Sequence, residues 1–271
     1  MIENILNEFS FLMLWNGGVL FFILLGTVIY IALLPYERDH SIRKTMMFLA
    51  GTVILFITLG SPLNVLGRIT FSSHIIQLVL LLLVTPPLLI KGFKMKVVHH
   101  LLSITMVKKL VHVITHPLVT ISLFHLLFYG YHIPTVFDQV RVGYFSNYIY
   151  LVALLVAALL LWIPIISKER LTRNQKMRYV VITSLLFIPL SLILLLINES
   201  LYSIYTDVDL FITALELCLP ELDTIPPDYF EALLPFSPAK EQKTGGGILL
   251  VSQLVIFSVL FSYIYKKRKI K

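Results

Sequence analysis

The sequence predicts an all-α polytopic membrane protein, a seven-transmembrane helix bundle with its N-terminus outside and its C-terminus inside. Three observations carry this. Charged residues make up only 14% of the 271, and mean hydropathy is +0.88, too apolar for an ordinary soluble domain. Seven apolar runs of roughly 17 to 24 residues can be marked, each long enough as a helix to cross about 30 Å of hydrocarbon. Finally, the basic residues fall on one side of the membrane that the runs define. With the N-terminus outside, the inner segments hold 3, 5, 5 and 5 of the 22 lysines and arginines, leaving only Arg68, Arg141, Lys240 and Lys243 outside. A soluble helical core would need polar faces that most of these runs lack. Lipid accepts only segments that satisfy their own backbone polar groups, which selects helices.

The first helix, Phe11–Leu34, follows an N-terminus without the basic stretch or small-residue cleavage site of a removed signal, so it reads as retained. Pro35 to Lys44 connects it on the inner side to Thr45–Leu66, whose outer end is weakened by Gly60-Ser61-Pro62. The third run is Phe71–Ile90, and Thr85-Pro86-Pro87 is expected to kink or terminate its last turn. Residues 97–115 mix lysines and histidines with apolar residues and read as an interfacial amphipathic helix on the inner leaflet. Pro117–Ile133, Ser146–Ile166 and Arg178–Ile197 supply the fourth to sixth helices.

Residues 198–246 form the longest polar stretch, placed outside the membrane by the alternation. Within it Val208, Phe211, Ile212, Leu215 and Leu219 recur near helical spacing behind Asp207, and Pro220 closes the pattern. This predicts a re-entrant or surface-lying helix capping the outer mouth, with Ile225-Pro226-Pro227-Asp228 beginning another short piece. Gly245-Gly246-Gly247 reads as a flexible hinge into the seventh helix, Gly247–Tyr265. It has no lysine-serine continuation and is not a phosphate loop. Most connections are short, so residues 1–271 read as a single membrane domain.

The net charge of +7 is not a nucleic-acid signal. It divides into 18 basic and 3 acidic residues inside against 4 basic and 12 acidic outside. Lys94-Met95-Lys96, Lys108-Lys109, Arg170 to Arg178 and Lys266 to Lys271 stand beside helix ends, where they meet anionic lipid, without the aromatic interleaving of single-strand binding. The single cysteine, Cys218, excludes an intramolecular disulfide or a CxxC pair; it is a small hydrophobe, or at most a lone ligand. No HExxH, nucleophile elbow or paired membrane carboxylates supports an enzyme. The lack of an acid inside the apolar runs weighs against a proton-coupled transporter, and the lack of an internal repeat against an inverted-repeat one.

Orientation sorts the eight histidines. His40, His99, His100 and His112 fall in inner connections and His116 at the inner start of the fourth helix. His74, His125 and His132 lie within or at the outer ends of apolar helices, where ionisable groups are costly and often functional. His74 is about one turn below the outer surface with Gln77 three residues on, and His132 lies near the same surface. His125 is about 10.5 Å deeper than His132 at 1.5 Å per residue, too far to share one ion with it. His74 and His132 would form half of a site that Asp138, Asp207, Glu216 or a methionine completes, and imidazoles suit copper or zinc. The same residues allow a plainer role, in which His74, Gln77 and His132 tie helices together by hydrogen bonds.

At these residues the chain resembles a known family, the CtaG-type (caa3) cytochrome c oxidase assembly factors of Gram-positive bacteria. The resemblance runs from Leu14-Trp15 through Phe71-Ser72-Ser73-His74-Ile75-Ile76-Gln77, Thr85-Pro86-Pro87-Leu88-Leu89 and Gly92. It continues in His116-Pro117-Leu118, Tyr131-His132-Ile133-Pro134, Phe137-Asp138 and Trp162-Ile163-Pro164. It ends in Leu201-Tyr202-Ser203-Ile204-Tyr205, Leu217-Cys218-Leu219-Pro220, Gly246-Gly247 and Gln253. It implies a multi-pass protein of the bacterial plasma membrane that assists copper delivery or insertion at the outer face. Its expected partners are the lipid bilayer and an oxidase subunit or another assembly factor, with no nucleic acid. His74, His132 and Asp138 are then the candidate copper ligands, with Gln77, His125, Glu216 and Cys218 as secondary polar candidates. Where relatives tend to carry a histidine at the outer start of the fifth helix, this chain has Ser146-Asn147-Tyr148. A small-cation or haem-related transporter and a membrane scaffold without metal are the alternatives.

Overall fold

The computed structural model describes residues 11–32, 41–94, 98, 100, 102–167, 170–216 and 237–266. Among them the regular structure is entirely helical. It comprises α1 (Phe11–Leu14), α2 (Gly17–Ala32), α3 (Ile42–Gly60), α4 (Pro62–Ile69), α5 (Phe71–Val79), a π-helical turn (Leu80–Val84) and α6 (Thr85–Gly92). There follow α7 (Thr105–Ile114), α8 (Pro117–Tyr131), α9 (Pro134–Val142), α10 (Tyr144–Ile166) and α11 (Arg173–Leu196). A 3-10 turn (Ser203–Tyr205), α12 (Val208–Glu216) and α13 (Pro238–Lys266) complete the chain. Each of the seven apolar runs contains a helix. Five helices are long and apolar enough to cross a membrane: α3, the continuous Phe71–Gly92, α10, α11 and α13. A sixth span arises only if α7 and α8, bent by 63° at their junction, count as one, and α2 is a shorter apolar helix of 16 residues.

The weak point at Gly60-Ser61-Pro62 is present as a break, and two other local features differ from the sequence reading for packing reasons. The second run breaks at Ser61, whose hydroxyl donates to Ile57 O at 2.6 Å and accepts from Leu63 N at 3.2 Å, ending α3 and starting α4. The proline pair does not terminate the third run. The helix widens into the π turn, with Thr85 N donating to Leu80 O, and then continues to Gly92. Leu82 O consequently loses both possible helical donors, because Pro86 four residues on and Pro87 five residues on have no N–H. The Trp162 indole of α10 fills the gap, donating to Leu82 O at 3.0 Å.

The expected glycine hinge is not a hinge. α13 runs unbroken through Gly245-Gly246-Gly247. A Cβ on Gly245 would lie 2.8 Å from Phe71 Cδ1, and one on Gly246 would lie 2.8 Å from the backbone nitrogen of Leu195. These glycines are where α13 is drawn against α5 and α11.

Hydrogen bonds define two ends of the bundle. At one, Asn16 N reaches Gly60 O at 3.0 Å and Leu201 N reaches Gln242 Oε1 at 2.8 Å. There α4, α9, the 3-10 turn and α12 cover the core. α12 forms where Asp207 predicts it, since Asp207 Oδ1 accepts from Asp209 N at 3.0 Å and Leu210 N at 3.1 Å. At the opposite end Tyr30 donates to Gly92 O at 2.9 Å, and Arg173 donates to Ile264 O and Tyr265 O at 3.1 and 2.8 Å. α7 lies at this second end with no buried residue, exposing Met106, Leu110 and Val113 beside Lys108, Lys109 and His112. Between the ends lies a buried apolar slab that includes Leu78, Leu81, Leu82, Phe124, Phe128, Leu154 and Phe187.

Candidate functional site

His74 sits on the inward face of α5 and is 0% exposed. Its partners fix its tautomer. Gln77 Nε2 donates to Thr58 O at 2.6 Å and to Asn64 Oδ1 at 3.0 Å, which turns Gln77 Oε1 toward His74 Nδ1 at 3.1 Å. Nδ1 therefore carries the proton, and Nε2 accepts from the Tyr131 hydroxyl of α8 at 3.1 Å. The chain of bonds continues outward. Asn64 Nδ2 donates to Tyr148 OH at 3.1 Å, and Asn16 Nδ2 donates to Tyr144 OH and Tyr148 OH at 3.1 and 3.2 Å. Five helices are joined through side chains that sequence spacing alone does not pair.

Two arginines that read in the sequence as outer loop charges are in fact core residues. Arg68 of α4 is 1% exposed and Arg141 of α9 is 0% exposed. Arg68 Nη1 donates to Arg141 O at 3.2 Å and Ala214 O at 3.0 Å; Arg141 donates to Asn147 Oδ1 at 3.3 Å and to Gly67 O. Gly67 O also accepts from Tyr205 OH at 3.1 Å. Gly67 in turn backs onto the site, since a Cβ there would lie 3.2 Å from Gln77 Oε1 and 3.3 Å from His74 Cα. Asn147 thus serves as an acceptor for a buried guanidinium. The only sequence hint of this burial is a nearby glycine, Gly67 directly before Arg68 and Gly143 two residues after Arg141.

Aromatic rings seal the cluster. Phe137 lies 5.4 Å from the His74 ring, 6.3 Å from that of His132, 5.2 Å from that of Tyr131 and 4.1 Å from that of Tyr202. Tyr202 stacks on Phe71 at 5.0 Å. Burial pushes the phenols of Tyr202 and Tyr205 above their ordinary range, with Arg141 pulling Tyr205 the other way, so both remain donors at neutral pH.

The residues predicted as ligands share this end but do not converge as a three-donor set. His132 caps α8, is 5% exposed and places Nδ1 2.7 Å from Phe128 O, which makes that nitrogen the N–H. Its Nε2 is buried and has no hydrogen-bond partner among the described residues. Asp138 points elsewhere, accepting Ser203 N on Oδ2 and Ile204 N on Oδ1, both at 3.1 Å, and so anchors the 3-10 turn. Among the described residues no group of three or more His, Cys, Asp or Glu side chains is arranged to hold a metal ion. Asp207 is used as the cap of α12. His125 lies deeper in α8 against Phe187 at 5.4 Å, with Nδ1 2.9 Å from Ile121 O. Cys218 and the Glu216 side chain lie outside the described residues.

The family model described as cytochrome c oxidase caa3 assembly factor (Caa3_CtaG) matches residues 21–267, nearly the whole chain. The chain belongs to this family. No curated protein and no solved structure matches it. As a caa3 assembly factor it carries almost all of the buried network within the family match, from Thr58 and Asn64 through His74, Tyr131 and Arg141 to Tyr205. Asn16, the outermost link, lies before the match begins.

Proposed function

We propose that this caa3 assembly factor handles copper as cargo at the outer membrane face, with its N-terminus outside, and passes it to an oxidase subunit. One observation carries the reading: His132 Nε2 is a buried lone-pair nitrogen with no partner among the described residues. Leaving such a group unsatisfied costs about 1–3 kcal/mol, so a fold that keeps it invites a ligand that repays it. His74 shares the same tautomer, with Nδ1–H held by Gln77 and Nε2 accepting from the Tyr131 hydroxyl, a bond that a metal would have to replace. An N–H anchored on one side of an imidazole leaves the other nitrogen oriented and basic, the usual preparation of a metal-binding histidine. Two neutral imidazoles suit copper(I), and Asp138 is not needed as a third ligand. The basic-residue bias supports the orientation, which puts this end of the bundle outside.

A second reading, the scaffold without metal, is favoured by how fully the remaining groups are used. Both nitrogens of His74 and both oxygens of Asp138 are spent within the fold. Transport is the weakest reading, because the apolar slab of Leu78, Leu82, Phe124, Phe128 and Phe187 separates the His74 network from the opposite end. Copper stoichiometry under reducing conditions on the purified full chain decides between the first two. We expect about one copper(I) per chain in wild type, loss in His132→Ala and weaker binding in His74→Ala. A wild-type chain that binds no copper, yet restores caa3 oxidase in a deletion strain, establishes the scaffold reading instead.

A further inference from the structure

We propose that the groove between α11 and α13 at the basic end of the bundle binds one anionic phospholipid, phosphate outward and acyl chain along the helices. The groove holds about 430 Å³ and is lined by Asn174, Met177, Arg178, Val181, Ile182 and Phe261. Its chemistry is graded along the helix axis. Asn174 and Arg178, one turn apart on α11, stand at the mouth, and Val181 and Ile182 follow with Phe261 opposite on α13. From Asn174 to Ile182 the helix rises about 12 Å at 1.5 Å per residue, room for a headgroup and the first part of an acyl chain.

Charge complementarity identifies the occupant. Arg178 is exposed and has no protein acceptor among the described residues, whereas the neighbouring cations are committed. Arg173 bonds Ile264 O and Tyr265 O, Lys176 bonds Ser167 O, and Arg170 bonds Val111 O and His112 O. The mouth also lies beside the N-terminus of α11, the positive end of its dipole, while Arg173 offsets the negative end of α13. A phosphodiester matches that field, and the exposed side chains of Val181 and Ile182 match a chain that water does not solvate. A zwitterionic lipid would bring its own cation against Arg178 and is disfavoured.

The test is native mass spectrometry of the full chain purified in detergent and equilibrated with equal phosphatidylglycerol and phosphatidylcholine. We expect a roughly fivefold preference for retained phosphatidylglycerol, the size of one interfacial cation's contribution. Arg178→Gln removes the preference, Lys108→Gln on α7 leaves it intact, and Ile182→Trp, which fills the groove and keeps the charge, lowers retention of both lipids. Three outcomes overturn the proposal. They are a preference unchanged in Arg178→Gln, an equal loss in Lys108→Gln, and displacement of the lipid by millimolar inorganic phosphate.

Discussion

Replacing Trp162 with phenylalanine removes a single hydrogen bond from the middle of the bundle, and the structure sets how much that costs. Leu82 O is buried in the apolar slab and has neither helical donor, because Pro86 and Pro87 occupy both candidate positions. Trp162 Nε1 at 3.0 Å takes their place. Interhelical hydrogen bonds in membranes average only about 0.6 kcal/mol, because groups that lose a partner usually find another. Leu82 O has apolar neighbours, so the loss belongs to the unsatisfied-acceptor class, about 1–3 kcal/mol. The phenylalanine ring keeps the stack on Phe257, whose centroid lies 6.0 Å from that of Trp162, so the packing term is the smaller one. Pro86→Ala restores an N–H four residues beyond Leu82. On that background Trp162→Phe is expected to cost about 1–2 kcal/mol less than on wild type. Reversible unfolding of the four proteins in detergent measures the cycle. An equal cost on both backgrounds refutes the assignment and leaves packing as the whole effect.

Two further outcomes follow from the same geometry. Gly246→Ala forces a Cβ to within 2.8 Å of Leu195 N and 3.0 Å of Ser191 O, rigid backbone that must move apart. We expect a loss of about 1–3 kcal/mol and a lower Tm. Gly247→Ala, whose nearest neighbour is Leu195 Cδ1 at 4.0 Å, is expected to be neutral or stabilising; equal losses in both would restore the hinge. The raised Tyr205 phenol stabilises the fold fully below the ordinary tyrosine value of about 10, and that contribution is lost as pH rises through its folded value. Absorbance titration at high pH should show one fewer late-titrating tyrosine in Tyr205→Phe, and an unchanged number contradicts its burial.

Much of the architecture is legible residue by residue. Asp207 ahead of a helical apolar pattern predicts α12, which is present, and the helix-tying role read for Gln77 is seen in its bonds to Thr58 O and Asn64 Oδ1. The burial of Arg68 and Arg141 is not legible in the sequence, which places them only in short outer segments. Only the closure of α9, the 3-10 turn and α12 over that end removes them from water. Asp138 has partners the sequence does not show, for a related reason. A carboxylate near two histidines suggests a ligand, but the two amides that claim it, Ser203 and Ile204, are 65 and 66 residues away in sequence. The prolines distort the third run into a π turn without ending it, and the glycines mark a hinge where the close approach of α13 maintains a continuous helix.

The helical class, the apolar segments and the family are legible from the sequence alone. Hydropathy, helical periodicity and motif are properties of neighbouring residues and add up along the chain. The tertiary structure alone decided which imidazole nitrogen keeps its lone pair, which arginines are buried and which carbonyl a tryptophan completes. Those outcomes depend on partners as distant as Tyr131 from His74, 57 residues apart, and Tyr205 from Gly67, 138 apart. A hydrogen bond is directional and satisfied over about 3 Å, so its partner is fixed by how the helices pack and not by the order in which they are written.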